Sequence, residues 1–106
     1  MRVHIAAERT SLAPQILDTI ATCMEHLNAP YQDILHARIT LIEPERLLPG
    51  YHEARVTLIL EGKTLHVTRG GPSPRRATGA ALEAVAWALR GFRTRAYGRQ
   101  LSAAHG

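Results

Sequence analysis

The chain has a single cysteine and no apolar run near the roughly 20 residues that span a bilayer. The lone Cys23 excludes an intramolecular disulfide and favours a reducing compartment. No signal-peptide pattern opens the chain, so we expect a cytoplasmic protein without membrane contact. Its 106 residues are one domain's length, which excludes a two-domain enzyme with its own cofactor fold.

Acidic residues are nearly missing from the second half of the chain. Residues 62–106 contain Lys63, seven arginines and one acid, Glu83, for a net charge of +7. Residues 1–61 contain five arginines and eight acids, for a net charge of −3. This asymmetry indicates an anionic partner that meets one face of the protein, with a merely hydrated basic surface as the alternative.

The first elements are a strand and a helix. Residues 2–7 alternate between apolar and polar types, which is typical of a half-buried strand. Apolar residues then recur every three or four positions from Leu12 to Leu27, which predicts an amphipathic helix. We expect Ser11 to be its N-cap, Pro14 to lie in its first turn and Pro30 to end it.

Three further strands and a second helix follow. Alternating runs predict strands at 35–42, 53–60 and 64–68, with Leu35 on the core side and a hairpin turn around Gly62. Ser73 and Pro74 form a helix start, and the Ala-rich helix is expected to end near Tyr97.

The order β-α-β-β-β-α predicts an α+β fold, a two-layer sandwich. A helical crossover makes the first two strands parallel, and the next three form a meander, so the four-stranded sheet is mixed. Because each strand has one apolar face, both helices should cover the same side. We expect a domain at residues 2–98 and a frayed C-terminal tail at 99–106.

The outward side of the last helix is the first candidate site. With Val85 and Phe92 facing inward, a rotation of 100° per residue defines the outward set. Arg76, Trp87, Arg90 and Tyr97 point outward, with Arg75 and Arg93 on one flank and Arg95 on the other. Guanidinium groups bind phosphate through paired hydrogen bonds, and an exposed Trp can stack on a base. Alternatively, arginine stems or Leu47-Leu48 cover the Trp87 indole.

The uncovered face of the sheet is the second candidate site. We expect its residues to include Arg2, His4, His36, Arg38, Thr40, Arg55, Thr57, His66 and Thr68, with Glu53 as the one acid near an end. His4, His36, Arg38, Arg55 and His66 could bind phosphates. The face lacks the aromatic residues with which RNA-binding sheets stack bases, so a hydrated surface is the alternative.

Signals for catalysis or metal binding are weak. Cys23 lies on the apolar stripe of the first helix, which favours a buried, inert thiol over a nucleophile. His4 and His36 could be neighbours on adjacent strands, but zinc-type ligand spacing is missing. We therefore expect no metal, no cofactor and no enzymatic activity. A small enzyme or metal protein that uses His4, His36 and Cys23 is the alternative.

Several segments resemble the ribosome hibernation factors, also called the sigma-54 modulation or ribosome-associated inhibitor family. The matching segments are 54–58 and 64–68, Ala80-Ala81-Leu82-Glu83, and Leu89. The resemblance covers residues 2–97 and implies the same β-α-β-β-β-α fold. The chain departs from the family at Ala77-Thr78-Gly79 and at Trp87-Ala88, where a characteristic family lysine is missing.

The resemblance implies a short member of the family without its C-terminal dimerisation domain. Such a protein would bind the rRNA of the small ribosomal subunit, in the channel for mRNA and tRNA, and inhibit translation in resting or stressed cells. We expect no DNA binding, and a monomer with a weak dimer as the alternative. A second hypothesis keeps the fold but makes the Trp87 helix face a protein-interaction module.

Overall fold

The computed structural model describes residues 1–44 and 50–105, with side chains described for residues 1–44 and 50–98. Its elements are β1 (Arg2–Glu8), α1 (Pro14–Asn28), β2 (Ile34–Ile42), β3 (His52–Leu60), β4 (Lys63–Gly71) and α2 (Pro74–His105). The α+β sandwich with the order β-α-β-β-β-α is confirmed. None of the described helices is long and apolar enough to cross a membrane.

The sheet has the order β1-β2-β3-β4. Strand β1 runs parallel to β2, whereas β2–β3 and β3–β4 are antiparallel. This pattern follows from the connections, since α1 joins β1 to β2 and a two-residue turn joins β3 to β4. Gly62 in that turn has a φ of +76°, a conformation that glycine adopts without steric cost.

One hydrophobic core joins both helices to the same face of the sheet. The helical contributors to this core are Ile16, Ile20, Met24, Ala77, Ala81, Leu82, Val85 and Leu89. The strand contributors are Ile34, Ala37, Ile39, Leu41, Ala54, Val56, Leu58, Leu60 and Leu65. Cys23 is half-buried at the edge of this core, and burial raises the pKa of its thiol. The thiol is therefore less readily ionised than an exposed one.

Helix α1 begins later than the sequence predicts. Its N-cap is Ala13, which has no side-chain cap, and the expectation that Ser11 is the N-cap is wrong. Pro14 occupies the first turn as predicted, and the Ala13 carbonyl accepts hydrogen bonds from the amides of Ile16 and Leu17. Ser11 is exposed and lies three residues before Pro14, too early to cap this turn.

Strand β2 is irregular at its start. The pairing with β3 shifts register between Ile34 and His36, which indicates a bulge at Leu35. Ile34 is therefore buried and Leu35 is 56% exposed, so the prediction that Leu35 faces the core is wrong. At the other end of β2, Ile42 is buried even though it lies in the outward alternation.

Helix α2 begins as the sequence predicts. The Ser73 hydroxyl accepts a hydrogen bond from the Arg76 amide at 3.1 Å, and Pro74 is the first helical residue. The helix then runs to His105, beyond the expected end near Tyr97. The proposed boundary between residues 98 and 99 stays a prediction. Leu47-Leu48 and Gly106 lie outside the described residues.

Candidate nucleic-acid interface

The solvent side of α2 is strongly basic. We call it the α2 outer face, and its exposed residues are Arg75, Arg76, Gly79, Glu83, Trp87, Arg90, Thr94 and Arg95. The helix buries its opposite side because alanines and aliphatic residues recur there at helical spacing. The outer face thus presents four guanidinium groups and one carboxylate on a continuous helix.

Trp87 lies near the middle of the α2 outer face. It is 64% exposed, the largest exposed fraction among the large apolar residues that the structure describes. The guanidinium carbon of Arg90, one turn along the helix, lies 5.5 Å from the centre of the Trp87 ring. This cation–π contact leaves most of the indole open to a flat partner. The arginine stem therefore does not bury Trp87; coverage by Leu47-Leu48 concerns residues outside the described part.

Arg93 is buried, so the prediction that it lies on an exposed flank is wrong. Only 9% of the residue is accessible. Its Nε and Nη2 donate to the two carboxylate oxygens of Asp33 at 3.1 and 2.6 Å, and Nη2 also donates to the Leu27 carbonyl at 2.7 Å. The end of α1 and the segment before β2 approach this flank of the helix, so Arg93 meets a carboxylate and a helix C-terminus.

Tyr97 belongs to the same contact. Its hydroxyl donates to Asp33 Oδ2 at 3.0 Å, and its ring stacks on Tyr31 with centroids 4.7 Å apart. The Arg93 guanidinium carbon lies 4.8 Å from the centre of the Tyr31 ring. Tyr97 is therefore half-buried, and the prediction that it points outward is wrong. We call Tyr31, Asp33, Arg93 and Tyr97 the Asp33 cluster.

The electrostatics of the Asp33 cluster are those of a structural ion pair. The hydrogen bonds from Arg93 are the main reason that the pKa of the Asp33 carboxyl lies below its ordinary value, against the opposing effect of burial. Burial, and then the hydrogen bond to Asp33, raise the pKa of the Tyr97 hydroxyl. At neutral pH the pair therefore remains charged, and Arg93 adds no net charge to the outer face.

Sequence reasoning missed Tyr31 and Asp33, because both lie in a connecting segment without periodicity. The available signal was indirect. Pro30 ends α1 just before them, and β2 begins directly after Asp33. The only carboxylate of this connection is therefore held beside the α1 C-terminus, where a neighbouring helix can reach it.

The uncovered sheet face has the polar composition that the sequence predicts. His4, Arg38, Thr57 and His66 are successive register partners in one row across all four strands. The Thr57 hydroxyl and His66 Nδ1 share a hydrogen bond of 2.7 Å. This row places two imidazoles and one guanidinium on a single surface opposite the helices.

Acids and buried groups limit how well parts of the uncovered face can bind an anion. Arg55 contacts Glu53 at 3.4 Å. The register places Glu8 in the same row as Glu53, so the expectation that Glu53 is the one acid on this face is wrong. His36 Nε2 is buried and lacks a hydrogen-bond partner, so this nitrogen does not face a ligand. Across the described side chains, no three His, Cys, Asp or Glu residues come together as a metal-binding group.

No family model and no curated protein matches the chain. Solved structures do match it. The Protein Y N-terminal domain of Thermus thermophilus superposes with a TM-score of 0.72 and 19% identity, covering 88% of this chain and all of that one. A ribosomal subunit interface protein from Coxiella burnetii gives 0.75 and 8% identity, covering 89% of this chain and 99% of the other.

The chain has the Protein Y fold. The resemblance drawn from the sequence is therefore confirmed at the level of the fold. In this example of the Protein Y fold, the α2 outer face and the uncovered sheet face lie on opposite sides of the sandwich. Variants on each face can therefore show which of the two faces contacts a partner.

Proposed function

We propose that this protein binds the rRNA of the small ribosomal subunit through the α2 outer face. It would occupy the channel for mRNA and tRNA and thereby inhibit translation in the cytoplasm of resting or stressed cells. The observation that carries the proposal is the α2 outer face, with four exposed arginines, one acid and an exposed Trp87. The likeness to a ribosomal subunit interface protein supports this choice of partner.

The chemistry of the face suits backbone recognition of folded RNA. Guanidinium groups bind phosphate oxygens in pairs, and this contact reads shape and charge rather than base sequence. Arg76 and Arg90 are fourteen residues apart on one helix, a distance of about 21 Å along the axis. A face of this length can contact several phosphates, and its affinity must then fall steeply with salt.

The contact set differs from the one that the sequence predicted. Arg75, Arg76, Trp87, Arg90 and Arg95 remain as the proposed rRNA-binding residues. Arg93 and Tyr97 are instead assigned to the Asp33 cluster, which holds the second half of α2 in place. Such a protein acts by occupying a site, and no chemical step is required.

Co-sedimentation with purified small subunits over a salt series tests the proposal. The double variant Arg76→Glu/Arg90→Glu should lose most binding at low salt because it replaces attraction to phosphate by repulsion. Arg38→Glu/Arg55→Glu is the matched control, with the same change in net charge on the opposite face. In a cell-free translation reaction, inhibition should follow binding. Wild-type protein that fails to sediment with subunits at low salt would contradict the proposal.

A protein-interaction module of the same fold is the second candidate function. The exposed indole of Trp87 favours it, because a large apolar side chain on a solvent face is typical of protein interfaces. This function predicts partner binding that changes little with salt and is lost in Trp87→Ala. The rRNA function predicts the opposite order, with charge reversal and salt as the larger effects.

A further inference from the structure

The two edges of the sheet differ in how well they are protected. An unpaired edge strand invites pairing with another strand unless charge, proline or a bulge prevents it. Edge strand β4 has Lys63, Arg69 and the Gly70-Gly71 pair. Edge strand β1 has no lysine, proline or bulge, its charged residues Arg2 and Glu8 stand at its two ends, and its seven residues keep an unbroken register with β2. β1 is therefore the edge that can accept a further strand.

Apolar surface is exposed at the β1 edge. Val3 lies on the same side of the sheet as Ile5 and Ala7, since these residues pair with core positions of β2, yet Val3 is 41% exposed. Met1 is 46% exposed and precedes Arg2, whose register partner is His36. Among the described residues, no backbone hydrogen bond outside the sheet involves residues 2–7. The helix side of the β1 edge is thus apolar, and the edge is open.

The sequence of β1 is complementary to itself. If two copies pair antiparallel about Ile5, Arg2 of one copy lies opposite Glu8 of the other, and Val3 lies opposite Ala7. In this register, odd-numbered residues of one copy lie opposite odd-numbered residues of the other. Val3, Ile5 and Ala7 of both copies therefore stay on the side of the sheet that the helices cover. Within the described residues neither Arg2 nor Glu8 makes an ion pair. Arg2 and Glu8 lie six residue steps apart along the strand, about 20 Å, so they cannot pair within one chain.

We propose that β1 pairs with β1 of a second copy, antiparallel and centred on Ile5, to form a two-fold symmetric dimer. The dimer has one eight-stranded sheet with all four helices on one side, and it contains two Arg2–Glu8 ion pairs between copies. The two uncovered faces join into one surface, while both α2 outer faces stay accessible. The dimer does not depend on the proposed function, and its interface includes none of the proposed rRNA-binding residues.

Sedimentation equilibrium of the full chain up to about 1 mM tests the dimer, because one edge pairing is expected to give weak affinity. Wild type should dimerise, while Arg2→Glu and Glu8→Arg should each weaken dimerisation at least tenfold by placing like charges opposite each other. An equimolar mixture of the two variants should form a heterodimer, since each unlike pair is again attractive. The proposal would be overturned if wild type stayed monomeric at this concentration, or if the mixture dimerised no more strongly than either variant alone.

A second pair of variants tests the edge itself. Val3→Lys should abolish dimerisation, because a desolvated lysine at an edge strand opposes pairing. Thr64→Lys adds the same side chain to β4, at an exposed position, and should leave the dimer intact. Circular dichroism shows whether both variants fold. A Thr64→Lys variant that dissociates while Val3→Lys dimerises would assign the interface to β4 and overturn the β1 pairing.

Discussion

Arg90 and Arg93 lie three residues apart on α2 but in opposite environments. Arg90 is exposed, and its guanidinium faces Trp87 and solvent. Arg93 is buried against Asp33 and the Leu27 carbonyl. The charge on one of these arginines is available to a partner, whereas the charge on the other is neutralised within the fold. The net charge of the second half therefore overstates what the outer face offers an anion.

The part of α2 up to Leu89 and the part that contains Arg93 are held in the fold by different kinds of contact. The first half of α2 packs on the sheet through apolar residues from Ala77 to Leu89. Beyond Leu89 the Asp33 cluster supplies the main described polar contacts, through Arg93 and Tyr97. A charged, hydrogen-bonded contact requires defined geometry, so it fixes the rotation of the helix and hence the direction of Arg90.

The largest effect should come from breaking the Asp33 ion pair. Arg93→Met should lower the free energy of unfolding by about 3 kcal/mol, because it leaves the Asp33 carboxylate without its cation in a mostly buried site. Arg90→Met is the matched control on the same helix and should change it by less than about 0.5 kcal/mol. Urea unfolding measures both. If both variants lowered the free energy of unfolding by the same amount, the environments of Arg90 and Arg93 would contribute equally to stability.

The fold was predictable from the sequence because its signals are periodic. Alternation defined β3 and β4, and the apolar stripes defined the buried faces of both helices. At Leu35, the alternation predicted the wrong side of the sheet. A bulge shifts the side chains at the start of β2, and no residue type in the sequence indicates this bulge.

The candidate site was predictable in part. Rotation by 100° per residue correctly placed Arg76, Trp87 and Arg90 in solvent. It failed at Arg93, because the exposure of a flanking residue depends on what other chain segments bring to it. Asp33 lies sixty residues away in sequence, and helical periodicity contains no information about such a partner. Burying a charge requires that partner, and only the tertiary structure supplies it.

Acid should reduce the difference in the free energy of unfolding between Arg93→Met and wild type. The pKa of Asp33 is lower in the folded protein, so its contribution to stability is present above the ordinary carboxyl pKa of about 4 and is lost as pH falls through the folded value. Arg93→Met removes the main cause of that shift. The two urea stabilities should therefore converge below about pH 4, by no more than the neutral-pH difference. A difference that stays constant with pH would assign the cost to lost packing.

The smallest effect on stability is expected at Trp87, on the same outer face as Arg90. Trp87→Ala removes an exposed indole and a cation–π contact worth about 0.5 kcal/mol, while alanine favours the helix by a similar amount. The free energy of unfolding should therefore change by less than about 0.5 kcal/mol. A loss of more than about 2 kcal/mol would mean that the indole is packed against other residues of the chain. In that case Trp87 would contribute to the fold like Arg93, and only the arginines of the outer face would remain for a partner.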